Sequence, residues 1–189
     1  MQRFIIARDQ AHFKCFFFSG DRPGDLGRVK VPEVLHFPND DGFFFNQIWG
    51  KVLRDGDKNV FDTRRNSQVV ICPIKGIEGY LAVARQLQIH LTKGYLFRPT
   101  NPEGGTVDSP FSSSTAEARL KLYLNEMGAD DGETLHGFRS GSAIMLALTG
   151  ADISEIMEHV GWARRHSSLY YLQLASFKSL WCFSTTSIR

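Results

Sequence analysis

Leu135-His136-Gly-Phe-Arg139-Ser-Gly-Ser-Ala-Ile-Met-Leu-Ala-Leu-Thr149 decides the reading of this chain. The stretch predicts a helix over 135–149, stopped by Gly150, with His136 and Arg139 three residues apart on one face, where both can point at one anion. A phosphate is the anion that suits them. Arg presents a planar fork of donors that stays charged at physiological pH, and His donates or moves a proton near neutrality. Alone, the tetrapeptide is read more readily as a helix start with a solvated Arg and a satisfied His. Residues farther along the chain shift that balance. Gly161-Trp162 adds an indole donor and Tyr170-Tyr171 adds two phenols, in the order that phosphodiester chemistry through a tyrosine needs.

Working outward, Asp152 caps a short predicted helix with Ile153, Ile156, Met157 and Val160 inward, and Gly161 stops it. Upstream, Ser114-Thr-Ala-Glu117 resembles a capping box opening a helix to Met127, closed by Gly128. A further helix is predicted over 76–90, joined to the next by a Pro- and Gly-rich connection at 95–111. Residues 4–18 read as a buried helix ended by Ser19-Gly20, with a turn at Gly20-Asp-Arg-Pro-Gly24. Between them, 34–37 and 42–49 predict a β-hairpin joined by Pro38-Asn-Asp-Asp41, and the β-branched run 68–72 predicts a third antiparallel strand. The basic stretch 51–66 separates them as a connection. The expected class is α+β, mainly α, in a single domain over 1–189.

Bulk properties set the limits. With 189 residues, 42% hydrophobic and 22% charged, the chain can bury a core and is neither disordered nor fibrous. A net charge of +2 is too small to announce a nucleic-acid binder, so any such face must come from local clusters. Arg22, Arg28 and Lys30 form one, Lys51, Arg54, Lys58, Arg64 and Arg65 a second, Arg164 and Arg165 a third; each reads equally well as solvated surface. Cys15, Cys72 and Cys182 are odd in number and lack metal-ligand spacing, which points away from a disulfide framework or zinc site and toward a reducing intracellular compartment. No charged leader precedes an apolar run, and no stretch is apolar enough to cross a bilayer as a helix.

Gly20-Asp-Arg22-Pro-Gly-Asp25-Leu26 after a helix, a three-stranded sheet, His136-x-x-Arg139, Gly161-Trp162 and Tyr171 together resemble the catalytic domain of tyrosine recombinases over about residues 4–175. The wording around Arg22 and Lys51 is similar to the recombinases of eukaryotic mobile elements. The resemblance implies that Arg22 grips the scissile phosphate with Asp25 supporting it, and that His136 and Arg139 form the central His-x-x-Arg. Trp162 stands where many members carry His and others Trp, and it can donate to a phosphate oxygen but cannot move a proton. Tyr171, nine residues after Trp162, is the implied nucleophile. Tyr170 is one residue short, and one residue on a helix turns a side chain by about 100 degrees, so it reads as packing. A lysine between the second and third strands would be the general acid; Lys51 is the candidate and Lys58 the reserve.

The implied activity is DNA strand transfer through a 3′-phosphotyrosyl intermediate, with no metal or nucleotide cofactor. Double-stranded DNA is the implied partner, contacted also by Arg28, Lys30, Arg54, Lys58, Arg164 and Arg165. The resemblance further implies a tetramer on two duplexes, allows a monomer when free, and implies the nucleus if the source is eukaryotic and otherwise the nucleoid. Two other functions fit the same residues: a DNA-binding module without strand transfer, and a type IB topoisomerase-like relaxation. The first draws on the expectation that the helical amino-terminal domain of such enzymes is absent from this chain.

Overall fold

The computed structural model of the protein describes residues 1–49 and 59–162. Lys51, Arg54, Lys58, Arg164, Arg165, Tyr170 and Tyr171 lie outside the described residues.

The helix α1 (Gln2–Ser19) is the central post. Its residues Phe4, Ala11, Cys15 and Phe16 are fully buried, and α3 (Pro73–Gln86) lies along it through Ile74, Ile77, Tyr80 and Ala84. On another side Phe13 and Phe16 meet Phe138 of α5 (Leu135–Leu148), with ring centroids 5.6 and 5.5 Å apart. This aromatic contact fixes which face of α5 is inward. The short α2 (Pro23–Leu26) follows α1, and α4 (Ser113–Glu126) and α6 (Ile153–Val160) complete the helical part. Asp9, fully buried on α1, accepts from Arg8 Nε at 2.9 Å on one oxygen and from Arg119 Nε and Tyr123 Oη at 2.6 and 2.8 Å on the other. The two arginines satisfy a carboxylate that would otherwise be costly to bury, and Arg119 with Tyr123 binds α4 to α1.

The sheet is antiparallel, in the order β1 (Val34–His36), β2 (Gly42–Gln47), β3 (Asn59–Arg64). Strict alternation puts Phe43, Phe45 and Gln47 inward and leaves Phe44 outward. Opposite them, Phe61 stacks on Phe45 at 4.8 Å, and the register ends with Gln47 facing Asn59. The expected class, mainly helical with a small three-stranded antiparallel sheet, therefore holds.

The third strand is elsewhere than expected. It runs over Asn59–Arg64, inside the stretch read as a connection, and the run 68–72 is a turn into α3. Cys72 N donates to Gln68 O at 3.0 Å and Ile71 N to the same oxygen at 3.2 Å. Val70 stands 83% exposed. Pro73 supplies the reason: at the first position of a helix its missing N–H costs nothing, and Cys72 Sγ accepts from Lys75 N as the cap. The hairpin's second strand also ends at Gln47, short of Trp49.

One further correction bears on the site. Ser112, not Ser114, caps α4, accepting from Thr115 N at 3.1 Å. Glu117 therefore does not close a capping box. Its Oε2 accepts instead from Leu135 N at 3.0 Å, where Thr134 gives no side-chain cap to α5. A carboxylate at that helix start also suits the helix dipole.

Candidate active site

Three pieces of chain meet at the end of α1. Gly20 terminates it in the left-handed conformation, φ 59°, and a Cβ there would sit 3.1 Å from Ser142 Oγ on α5 and 3.2 Å from Val160 Cγ2 on α6. Only glycine combines that φ with so close an approach. The turn carrying Arg22 is thereby pressed against the helix carrying Arg139. Arg139 Nη1 donates to the Gly20 carbonyl at 2.7 Å, and the residue is 5% exposed. Its guanidinium carbon lies 5.9 Å from the Trp162 ring centroid. Trp162 is half-buried, packed against Ala143, Ile156 and Val160, so it combines a core contact with a place beside Arg139.

Arg22 is the N-cap of α2, in extended backbone, and its side chain is half-exposed, with Nη1 3.8 Å from Asp25 Oδ2. His136 is exposed in the first turn of α5, the turn whose amide Glu117 caps. Thus the Arg22–Asp25 pair lies on the turn that Arg139, with Trp162 beside it, holds by the Gly20 carbonyl, and His136 stands one helical turn before Arg139. Arg28 is exposed nearby in sequence, and Lys30 Nζ lies 5.7 Å from the Tyr95 ring centroid.

Two residues not singled out from sequence complete the turn. Asp21 Oδ1 accepts from Arg22 N at 2.7 Å, and its Oδ2 accepts from Gln47 Nε2 of β2 at 2.6 Å. Burial pushes the Asp21 carboxyl up to about 6; the Gln47 and Arg22 hydrogen bonds pull it back, Asp25 raises it and Arg139 lowers it. A neighbouring imidazole, His159 of α6, lies with Nε2 2.8 Å from Phe18 O and packs over Gly20.

The arrangement sets a fixed, buried guanidinium, with an indole alongside, against the turn that carries a second, more exposed guanidinium. Such a set is suited to an oxyanion that carries more than one charge. Solved structures of recombinases and integrases share this arrangement of elements. A XerH recombinase bound to a palindromic difH substrate in a post-cleavage complex superposes with a TM-score of 0.69 at 16% identity, over 98% of this chain and 47% of that one. The chain has the tyrosine recombinase catalytic-domain fold.

XerA recombinase gives a TM-score of 0.65 at 20% identity, covering 98% of this chain and 62% of its own, and the Tn1549 transposon integrase in complex with transposon right end DNA gives 0.57 at 11%, covering 90% and 58%. This chain thus spans about half to three-fifths of the recombinases it matches. The sequence matches no protein-family model and no curated protein.

Proposed function

We propose that this chain is the catalytic part of a DNA strand transferase that works through a phosphotyrosyl intermediate. The observation that carries the reading is the bond from Arg139 to the Gly20 carbonyl, which sets the Arg22 turn against the His136–Arg139 helix within a recombinase fold. In this reading Tyr171 loses its phenolic proton and its oxygen attacks a backbone phosphorus. The bond to the 5′ oxygen breaks as the 3′-phosphotyrosyl bond forms, and Lys51, with Lys58 in reserve, gives the leaving oxygen its proton. Arg22, Arg139, His136 and Trp162 hold the charge that grows on the phosphate oxygens. Bond energy is conserved in the covalent link, so a 5′ hydroxyl from another strand reverses the step on a new partner.

DNA is the proposed partner because several recombinases of this fold were solved on it, one as a lambda integrase dimer bound to a COC' core site. Assembly as a tetramer on two duplexes belongs to the same proposal. The assignment to eukaryotic mobile elements rests on the wording around Arg22 and Lys51.

The test is a suicide duplex carrying a nick near the cleavage site, which traps the adduct by losing the 5′ fragment. Adduct should form with the wild type and with Tyr170→Phe and be lost in Tyr171→Phe. Salt-sensitive binding without any adduct would establish the binding-module function instead. Relaxation of a supercoiled plasmid without strand exchange would favour the topoisomerase-like one.

A further inference from the structure

The turn that carries Arg22 is tied to the sheet by side chains that the strand-transfer chemistry does not itself use. Gln47 Nε2 donates to Asp21 Oδ2 at 2.6 Å, while Gln47 Oε1 accepts from Asn59 Nδ2 at 3.1 Å. On its other oxygen Asp21 accepts the Arg22 backbone amide at 2.7 Å. Asp21 and Gln47 are 7% and 2% exposed. Gln47 and Asn59 oppose each other as the last register pair of β2 and β3, so they are the two points between which the chain leaves and re-enters the sheet. That connection contains both Lys51 and Lys58. An apolar residue at 47 would continue the inward series of Phe43 and Phe45 without a polar group to satisfy. The relay thus stands at a place where packing alone would not put it.

We propose that Asp21 is a positioning residue: through Gln47 and Asn59 it locks the backbone of Arg22 to the last paired residues of β2 and β3, fixing the turn that carries the proposed phosphate-gripping arginine against the sheet. This rests on the strand-transfer reading above. Asp21 touches no substrate in this role. It acts through the Arg22 amide on one side and through the paired amides of Gln47 and Asn59 on the other, and the charged groups about it are Arg22 and Asp25 of its own turn and Arg139 of α5.

The relay has a definite donor order, and that order can be reversed. Gln47→Glu sets a carboxylate against the Asp21 carboxylate and breaks the link by repulsion. Adding Asp21→Asn restores a donor: the amide introduced at position 21 then donates to the carboxylate introduced at position 47, which still accepts from Asn59. With the full chain and the nicked suicide duplex, Q47E should lower the adduct-forming rate at saturating DNA by about tenfold or more, with DNA affinity changed by less than about threefold, and D21N/Q47E should recover most of the rate.

A merely structural role would move the melting temperature of both variants and leave the rate of the folded fraction alone. Q47E cleaving at the wild-type rate, or a double variant no faster than Q47E, overturns the proposal. Should Q47E fail to fold, recovery of folding and cleavage together in D21N/Q47E supports it, and a folded double variant that does not cleave overturns it. A wild-type chain that binds DNA but forms no adduct overturns the strand-transfer reading, and the positioning role with it. In that case a double-mutant cycle in thermal unfolding still reads the 21–47 coupling by itself.

Discussion

Arg139 Nη1 donates to the carbonyl oxygen of Gly20 at 2.7 Å, joining residues 119 apart in the chain. The carbonyl belongs to the residue that ends α1 and lies two before Arg22, so the guanidinium that the proposed function sets on the phosphate also anchors the turn. Arg139→Ala removes the anchor from a buried place, and the loss of a charge-assisted bond there is expected to cost about 1.5–3 kcal/mol, together with all adduct formation. Arg139→Lys keeps a charge and one donor but not the planar fork. It should melt close to the wild type and form adduct about a hundredfold more slowly, read by thermal unfolding and single-turnover cleavage. A lysine variant as fast as the wild type would show that the fork is not used.

Gly20→Ala attacks the same junction from the other side. A Cβ at φ 59° costs about 1–2 kcal/mol in the backbone alone, and here it also presses on Ser142 Oγ and Val160 Cγ2. The variant should lose at least that much stability in urea unfolding. Because the strain falls on the turn that leads to Arg22, the folded fraction should also cleave more slowly. Gly24→Ala is the control, since a Cβ there meets nothing within 4 Å.

This junction also marks how much of the molecule was legible in its letters. Helix ends written in local chemistry were readable: Gly20 after Ser19, and Asp152 with Glu155, whose side chain and backbone amide bond reciprocally. The third strand was not, because Asn59-Val-Phe-Asp-Thr-Arg64 alternates with only Phe61 and Thr63 buried, and a β-branched run five residues on looked more like a strand. Val69 to Ile71 stay exposed because Pro73 starts α3 just beyond them. At the candidate site, spacing and resemblance singled out Arg22, His136, Arg139 and Trp162, whereas the residues bonded to the backbone at or next to them, Asp21 and Glu117 among them, were not singled out for that part. Gln47 left one sequence signal, a polar residue where alternation after Phe43 and Phe45 calls for an apolar one. Glu117 left none, since three consecutive serines offer competing caps and its partner is Leu135, 18 residues away.

Glu117→Ala tests that capping contact. It leaves the Leu135 amide without its acceptor at a helix start that has no side-chain cap of its own. Loss of a cap is worth about 1 kcal/mol, and the first turn of α5, with His136, should fray. Cleavage should fall by a few-fold and amide exchange at 135–138 should rise, while Glu117→Gln, which keeps a carbonyl acceptor, should stay nearer the wild type. Unchanged exchange in the alanine variant would show that the cap does not hold His136.

His12 gives a prediction independent of the site. It is fully buried among Phe16, Phe97 and Phe111, and neither ring nitrogen has a hydrogen-bond partner among the described residues. Burial first, and the nearby Arg8 charge second, lower its pKa from 6.5 to about 3. The unfolded chain therefore binds a proton at this residue below about pH 6.5 that the folded chain refuses until about pH 3. Its contribution is fully present above pH 6.5 and is lost as pH falls through that window, approaching a tenfold change in the folding constant per pH unit. Asp21 acts in the opposite sense: its raised carboxyl favours the folded state at low pH, an advantage lost as pH rises from about 4 through about 6. A total stability curve mixes the two, so the measurement is a difference. Urea unfolding of wild type and His12→Leu at steps from pH 7.5 to 4.5 should diverge below pH 6.5, the wild type falling more steeply by nearly one proton. Asp21→Asn should instead gain on the wild type as pH rises from 4 to 7. Parallel curves for His12→Leu would mean that the imidazole is protonated within the fold and is not a neutral core group.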